Sequence, residues 1–197
     1  AYLPPTRIVW QETTGSSSIE GIDKLLLPGN GQAELVGGKE CVIRKRPDGK
    51  VSFLLDFGRE LQGGIQIVTG QSSRKEAKVR IRFGESVSEA MCDITPENGA
   101  TNDHAIRDFH FTLPWLGVAE IGNSGFRFAR IDVEEPDIDL LLKEVRATFG
   151  YRDIPYLGSF KSDNNRLNDI WMTGAYTVHL NMQEYIWDGV KRDRLVW

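Results

Sequence analysis

The stretch Asp188-Gly189-Val190-Lys191-Arg192-Asp193-Arg194-Leu195-Val196-Trp197 gathers two carboxylates, three cations and a tryptophan. Carboxylates so placed can do general acid or base work. A tryptophan beside them offers an apolar face to a sugar ring while polar groups grip its hydroxyls. Cations around a carboxyl normally lower its pKa, whereas a general acid needs it raised by burial or a neighbouring anion. On composition alone, a charged loop after a helix, closed by internal salt bridges, accounts for the segment better.

The remaining chemistry-bearing residues are weaker signals. His104, His110 and His179 show no HExxH or other metal spacing, and surface or packing roles suffice for them. Asp132, Glu134, Glu135, Asp137 and Asp139 cluster around Pro136, where Ca²⁺ could find oxygen ligands. The spacing is not that of an EF-hand, and a solvated acidic loop is the plainer reading. Arg44-Lys45-Arg46 reads as a solvated strand end. Gly29, Gly31, Gly37 and Gly38 lack the Lys-Ser or Lys-Thr that completes a P-loop. Trp10, Trp115 and Trp187 could act as sugar platforms or as packing residues.

Two kinds of element must position these residues. From about Arg44 to Tyr151 the pattern alternates with period two, as in Lys78-Val79-Arg80-Ile81-Arg82-Phe83, Ile65 to Thr69 and Glu144 to Phe149. Such strands suit an antiparallel sheet packed on one face and wetted on the other. Phe126 to Val133 alternates with a phase shift after Phe128, which predicts a bulge. Pro47-Asp48-Gly49 predicts a hairpin between Val42–Arg44 and Val51–Leu55. Gly63-Gly64, Gly70, Gly84, Asn98-Gly99 and Gly122-Asn123-Ser124-Gly125 predict further turns. Many short strands with glycine turns point to a β-sandwich. After Pro155 the period becomes helical. Ser162 is the expected cap, Leu167, Ile170, Trp171, Gly174, Val178, Asn181, Met182 and Tyr185 form one stripe, and the helix is expected to end near Asp188-Gly189. This helix needs a packing partner, either the sandwich or further helices.

Composition narrows the function classes. The 197 residues carry 24 Lys+Arg against 28 Asp+Glu, a net charge of −4, which argues against a nucleic-acid binder. With 40% hydrophobic and 26% charged residues the chain can bury a core. Apolar runs such as Leu25–Leu27 are too short to insert in a membrane. Two cysteines, Cys41 and Cys92, exclude a disulfide-rich scaffold and a four-cysteine zinc site, and leave the cellular compartment open.

The segment from Asp188 resembles the catalytic signature of glycoside hydrolase family 78, the bacterial α-L-rhamnosidases, which runs close to Asp-Cys-Pro-Gln-Arg-Glu-Arg-Leu-Gly-Trp. Asp188, Arg192, Arg194, Leu195 and Trp197 match it in register. Leu167-Asn168-Asp169-Ile170-Trp171 through Tyr176-Thr177, Met182 and Gln183 resembles the first helix of that family's (α/α)6 barrel. Leu55 to Gly64, Arg82-Phe83-Gly84-Glu85 and Gly125-Phe126-Arg127-Phe128 resemble its preceding β-sandwich. The likeness runs from Leu55 onward, and residues before Arg44 add little.

The resemblance implies a mainly β chain: an antiparallel, jelly-roll-like β-sandwich over residues 1–158, then the first helix of a six-hairpin (α/α)6 barrel over 159–197. It implies an inverting glycosidase acting on a terminal α-L-rhamnosyl unit of an oligosaccharide or glycoside, with no organic cofactor. Asp193 falls on the general-acid position. Asp188 falls on an aspartate that holds sugar hydroxyls, Arg192 would orient or balance these carboxylates, and Trp197 would stack on the sugar. The base would be a glutamate after residue 197. The chain departs from the signature at Asp193, one methylene shorter than glutamate, at Gly189-Val190-Lys191 for Cys-Pro-Gln, and at Val196 for glycine. The alternatives are a carbohydrate-binding or bracing sandwich without catalysis, or an inactive relative.

Overall fold

The computed structural model describes residues 1–35, 40–95, 97, 106–191 and 194–196. Among these, nine strands form one antiparallel sheet, joined by a 3-10 turn at Ile22–Leu26 and two α-helices. The strands are β1 (Tyr2–Leu3), β2 (Arg7–Thr13), β3 (Ser18–Glu20), β4 (Cys41–Lys45), β5 (Val51–Thr69), β6 (Glu76–Gly84), β7 (Asp108–Pro114), β8 (Val118–Val133) and β9 (Ile138–Phe149). Helix α1 is Val87–Met91 and α2 is Asn165–Asn181.

Two long strands carry the architecture. The first part of β5 pairs with β2 and with Phe128–Asp132 of β8, which continues to β6 and β7. The second part pairs with Val118–Ser124 of β8 and with β9, which continues to β4 and β3. Phe53 and Leu55 from the first part share one buried core with Ile65 and Ile67 from the second, so the sheet folds over itself as a sandwich. In β6 the alternation places Val79, Ile81 and Phe83 in that core, as the sequence predicts. Burying these side chains contributes about 1.5–3 kcal/mol each. Glu144–Phe149 likewise turns Val145, Ala147 and Phe149 inward.

Three readings of the sheet are corrected. Gly63-Gly64 and Gly122-Asn123-Ser124-Gly125 are not turns but lie inside β5 and β8, where these strands bend and cross. A Cβ on Gly64 would sit 2.3 Å from the carbonyl oxygens of Ile121 and Gly122, so close approach of backbones, not chain reversal, requires glycine there. Pro47-Asp48-Gly49 does turn, but β4 and β5 do not pair, because β9 lies between them. The turn packs instead on Ser16, whose Oγ donates to Asp48 Oδ1 at 2.7 Å. Ile65–Thr69 has no wet face, since Gln66 is buried under Glu120 and Arg146, bonded at 2.7 and 2.8 Å. Asn98-Gly99 lies outside the described residues.

The phase shift after Phe128 is real. Phe126 and Ala129 face the main core, whereas Phe128 packs with Leu54 and Ala90 in a second cluster. The cause lies on the partner strand, where pairing jumps from Asp56↔Phe128 to Leu61↔Phe126 and leaves residues 57–60 as a wide bulge.

Helix α2 is shorter than the sequence predicts. Asn164 caps it, its Oδ1 accepting from Arg166 N at 3.0 Å, while Ser162 bonds Asn164 and Asn168 ahead of the helix. It ends at Asn181 rather than near Gly189, because residues 182–186 close a small turn through the Met182↔Ile186 bridge. The face toward the sheet holds Tyr176 and Leu180, and the predicted stripe points largely outward, with Leu167, Ile170 and Val178 about half exposed.

A polar cleft at the bend of the sheet

The segment after α2 is folded back on the helix end and on the sheet bend. Trp187 N donates to Asn181 O at 2.9 Å, and a reciprocal pair closes the loop: Asp188 N to Leu195 O and Leu195 N to Asp188 Oδ1, both 2.8 Å. Val190 is buried beside Gly125, where an added Cβ would meet Val190 Cγ1 at 2.6 Å. Lys191 reaches across to α1, its Nζ 2.6 Å from Glu89 Oε1 and 2.9 Å from Glu85 Oε2. Burial opposes the Lys191 charge, but these two carboxylates outweigh it and raise its pKa.

Beside this loop lies an open cleft of about 550 Å³, floored by Gly63, Gly64 and Gly122 and walled by Gln62, Asn123, Gln183, Glu184, Trp187 and Arg194. Gln62 Nε2 donates to Asn123 Oδ1 at 2.7 Å. The Arg194 guanidinium stands 4.9 Å over the Trp187 ring and donates to the Asn123 carbonyl. Arg194 adopts φ 53, a left-handed conformation uncommon for a non-glycine residue. Burial lowers its pKa, with Glu184 acting the other way. An indole face ringed by amides, a guanidinium and a carboxylate can hold a ring with hydroxyls on its edge.

Glu60, in the bulge of β5, sits where sheet, helix and loop meet. Its carbonyl accepts from the Tyr176 hydroxyl at 2.5 Å, and its Oε1 is buried without a hydrogen bond. Burial pushes its carboxyl up to about 8, reinforced by Glu85 and Glu89 and opposed by Lys191 and Arg127. The sequence signals no such role, since a strand-borne carboxylate looks like any wet-face residue.

Of the sequence-predicted site residues, Asp188 is described: its side chain binds the Leu195 amide and so shapes the loop. Asp193, Arg192 and Trp197 lie outside the described residues, as does His104. Trp187 lines the cleft, whereas Trp10 packs under Arg130 and Trp115 donates Nε1 to Ser72 O at 2.9 Å. The acidic cluster is largely partnered: Asp132 pairs with Arg82 and Arg130, Asp137 and Asp139 pair with Arg46, and Glu134 Oε2 lies 2.8 Å from His110 Nδ1. The Arg44–Arg46 run is therefore not simply solvated, and Lys45 is itself buried, donating to Arg46 O at 2.8 Å.

No family model matches the chain, and no curated protein matches it by sequence. Solved structures do. A rhamnosidase from Klebsiella oxytoca with rhamnose bound matches over 100% of this chain and 38% of its own, with TM-score 0.68 and 18% identity. A family 78 rhamnosidase of Bacillus sp. GL1 matches over 88% of this chain and 17% of its own, with TM-score 0.66 and 19% identity. An α-L-rhamnosidase from Dictyoglomus thermophilum matches over 77% and 17%, with TM-score 0.50 and 20% identity. The chain thus has the fold of one part of family 78 α-L-rhamnosidases, and spans well under half the length of each of these three.

Proposed function

We propose that the chain belongs to a glycoside hydrolase that removes terminal α-L-rhamnosyl units with inversion. In this reading residues 1–158 are the sandwich preceding the catalytic domain, and 159–197 open an (α/α)6 barrel. The observation that carries the proposal is the similarity to a rhamnosidase along the whole chain, through α2 and the loop after it. The matching positions Asp188, Arg192, Arg194, Leu195 and Trp197 add to it.

Each residue then has a task. Asp193 donates a proton to the glycosidic oxygen as the bond to the aglycone breaks. A carboxylate after residue 197 takes a proton from the water that attacks the opposite face, the two groups lying about 6.5–9.5 Å apart to admit it. Asp188 and Arg192 hold sugar hydroxyls and balance charge, and Trp197 stacks on the ring. Asp188 is already fixed by the Leu195 amide, which limits the directions left to its carboxylate. The sandwich braces this loop through Val190 and Lys191, which favours bracing over independent sugar capture as the role of residues 1–158.

Proton NMR of the first sugar released from p-nitrophenyl α-L-rhamnoside by the full-length protein tests the proposal. Initial β-L-rhamnose is expected. Initial α-L-rhamnose, or no release of sugar, refutes it.

A further inference from the structure

A second cleft, of about 410 Å³, opens on the other side of Phe149, between the sheet and α2. Its apolar base is Leu3, Phe149 and Leu180, and its walls are Tyr151, Tyr156 and Tyr176. Tyr151 stacks on Phe149 with centroids 4.8 Å apart and planes 20° from parallel, yet remains 42% exposed. Tyr156 is 43% exposed and is held by its hydroxyl, 3.0 Å from His179 Nδ1. Exposed rings fixed in place are not explained by the core, which closes without them.

A guanidinium lines this cleft beside the Ala1 ammonium, which donates to the Phe149 carbonyl at 2.7 Å. Arg59 lies in the β5 bulge with its guanidinium 5.5 Å from the Phe149 centroid and 5.3 Å from that of Tyr176. The two rings hold the side chain extended at the cleft, where it lines the wall. Among the described residues, no hydrogen bond or ion pair engages its N–H groups. The nearest carboxylate in sequence, Glu60, turns its Oε1 toward Gly125 on the opposite side. A planar fork of unpaired donors, preorganised beside aromatic faces, is suited to a single carboxylate on a ring with an apolar face. The guanidinium fork matches the two oxygens of a planar carboxylate, and the Tyr151 hydroxyl at the wall suits a ring hydroxyl.

We propose that this cleft is a second carbohydrate site that takes a uronic-acid unit, its carboxylate on Arg59 and its ring against the tyrosines. The site involves none of Asp188 to Trp197, so it stands or falls independently of rhamnosidase activity.

The test is titration of D-glucuronate, D-galacturonate, D-glucose, L-rhamnose and benzoate into the protein, followed by calorimetry and amide NMR. The uronates are expected to bind in the millimolar range, about tenfold tighter than glucose, and more weakly as salt rises from about 50 to 500 mM. Arg59→Gln should weaken uronate binding about tenfold, and Arg44→Gln, on β4 and lining neither cleft, should leave it unchanged. Should Arg59→Gln not fold, Arg59→Lys keeps the charge but loses the fork, and should weaken binding about threefold. Absence of uronate binding overturns the proposal. So does equal affinity for glucose, an unchanged affinity in the Arg59 variant, loss of binding in Arg44→Gln, or binding of benzoate without uronate.

Discussion

Lys191 Nζ lies 2.6 Å from Glu89 Oε1, joining the segment after α2 to the short helix at the end of β6. The contact is largely screened from water and is shared with Glu85, so it fixes Lys191 and the adjoining Val190 relative to the sheet. Replacing Lys191 by Met would leave Glu85 and Glu89 facing each other with Glu60 close by. We expect Lys191→Met to destabilise the protein by about 1–3 kcal/mol in urea denaturation, with faster amide exchange at Val190. Unchanged exchange at Val190 would mean that the loop is held by other contacts.

Glu60 predicts a pH dependence. Its folded pKa of about 8 lies above the ordinary carboxylate value of 4.5. The folded state therefore retains a proton that the unfolded state has released, and stability contributed by this group is full below about 4.5 and is lost as pH rises toward 8. Glu60→Gln, neutral throughout, should gain in denaturation midpoint over the parent as pH increases from 5 to 8, with no such gain near pH 4. A pH-independent difference would remove Glu60 as the source.

Helix α2 is docked by few side chains. Leu180 is buried and Tyr176 bonds the Glu60 carbonyl, while Leu167, Ile170 and Val178 on the outward stripe stay about half exposed. Leu180→Ala should cost about 2–4 kcal/mol, and Leu167→Ala less than about 0.5 kcal/mol in this chain, both read from denaturant midpoints. Equal effects would mean that the helix docks by its other face.

The strand crossing should tolerate no side chain. Gly122 has φ 84, and a Cβ there would come within 2.3 Å of Phe83 Cε2. Gly122→Ala combines backbone strain with overpacking and should destabilise by about 2–5 kcal/mol, seen as a lowered thermal midpoint. An unchanged midpoint would contradict the close approach.

What the sequence reveals follows from how locally each feature is encoded. The alternation of β6 and β9 is legible because each has one apolar and one polar face. The bend glycines are not, since Gly64 facing Gly122 looks in sequence like any turn glycine, and the need for it arises from a strand over 50 residues away. The same applies to Pro47–Gly49, whose flanking strands are separated by β9 from the far end of the chain. The orientation of α2 was hidden because its apolar stripe is broader than the face the sheet covers. At the site, Asp188 stood out by its charged neighbours. Glu60 and the cleft wall of Gln62, Asn123 and Gln183 did not, because single polar residues on strands and turns acquire meaning only when folding brings them beside Trp187 and Arg194.

The assignment of Asp193 as the proton donor is tested most directly by turnover of an α-L-rhamnosyl disaccharide, whose sugar alcohol cannot leave without protonation, in the full-length protein and its Asp193→Asn variant. The account predicts a fall in kcat of about 10²–10⁴, the range for loss of a general acid, with KM changed far less. Equal kcat in the two proteins would contradict it.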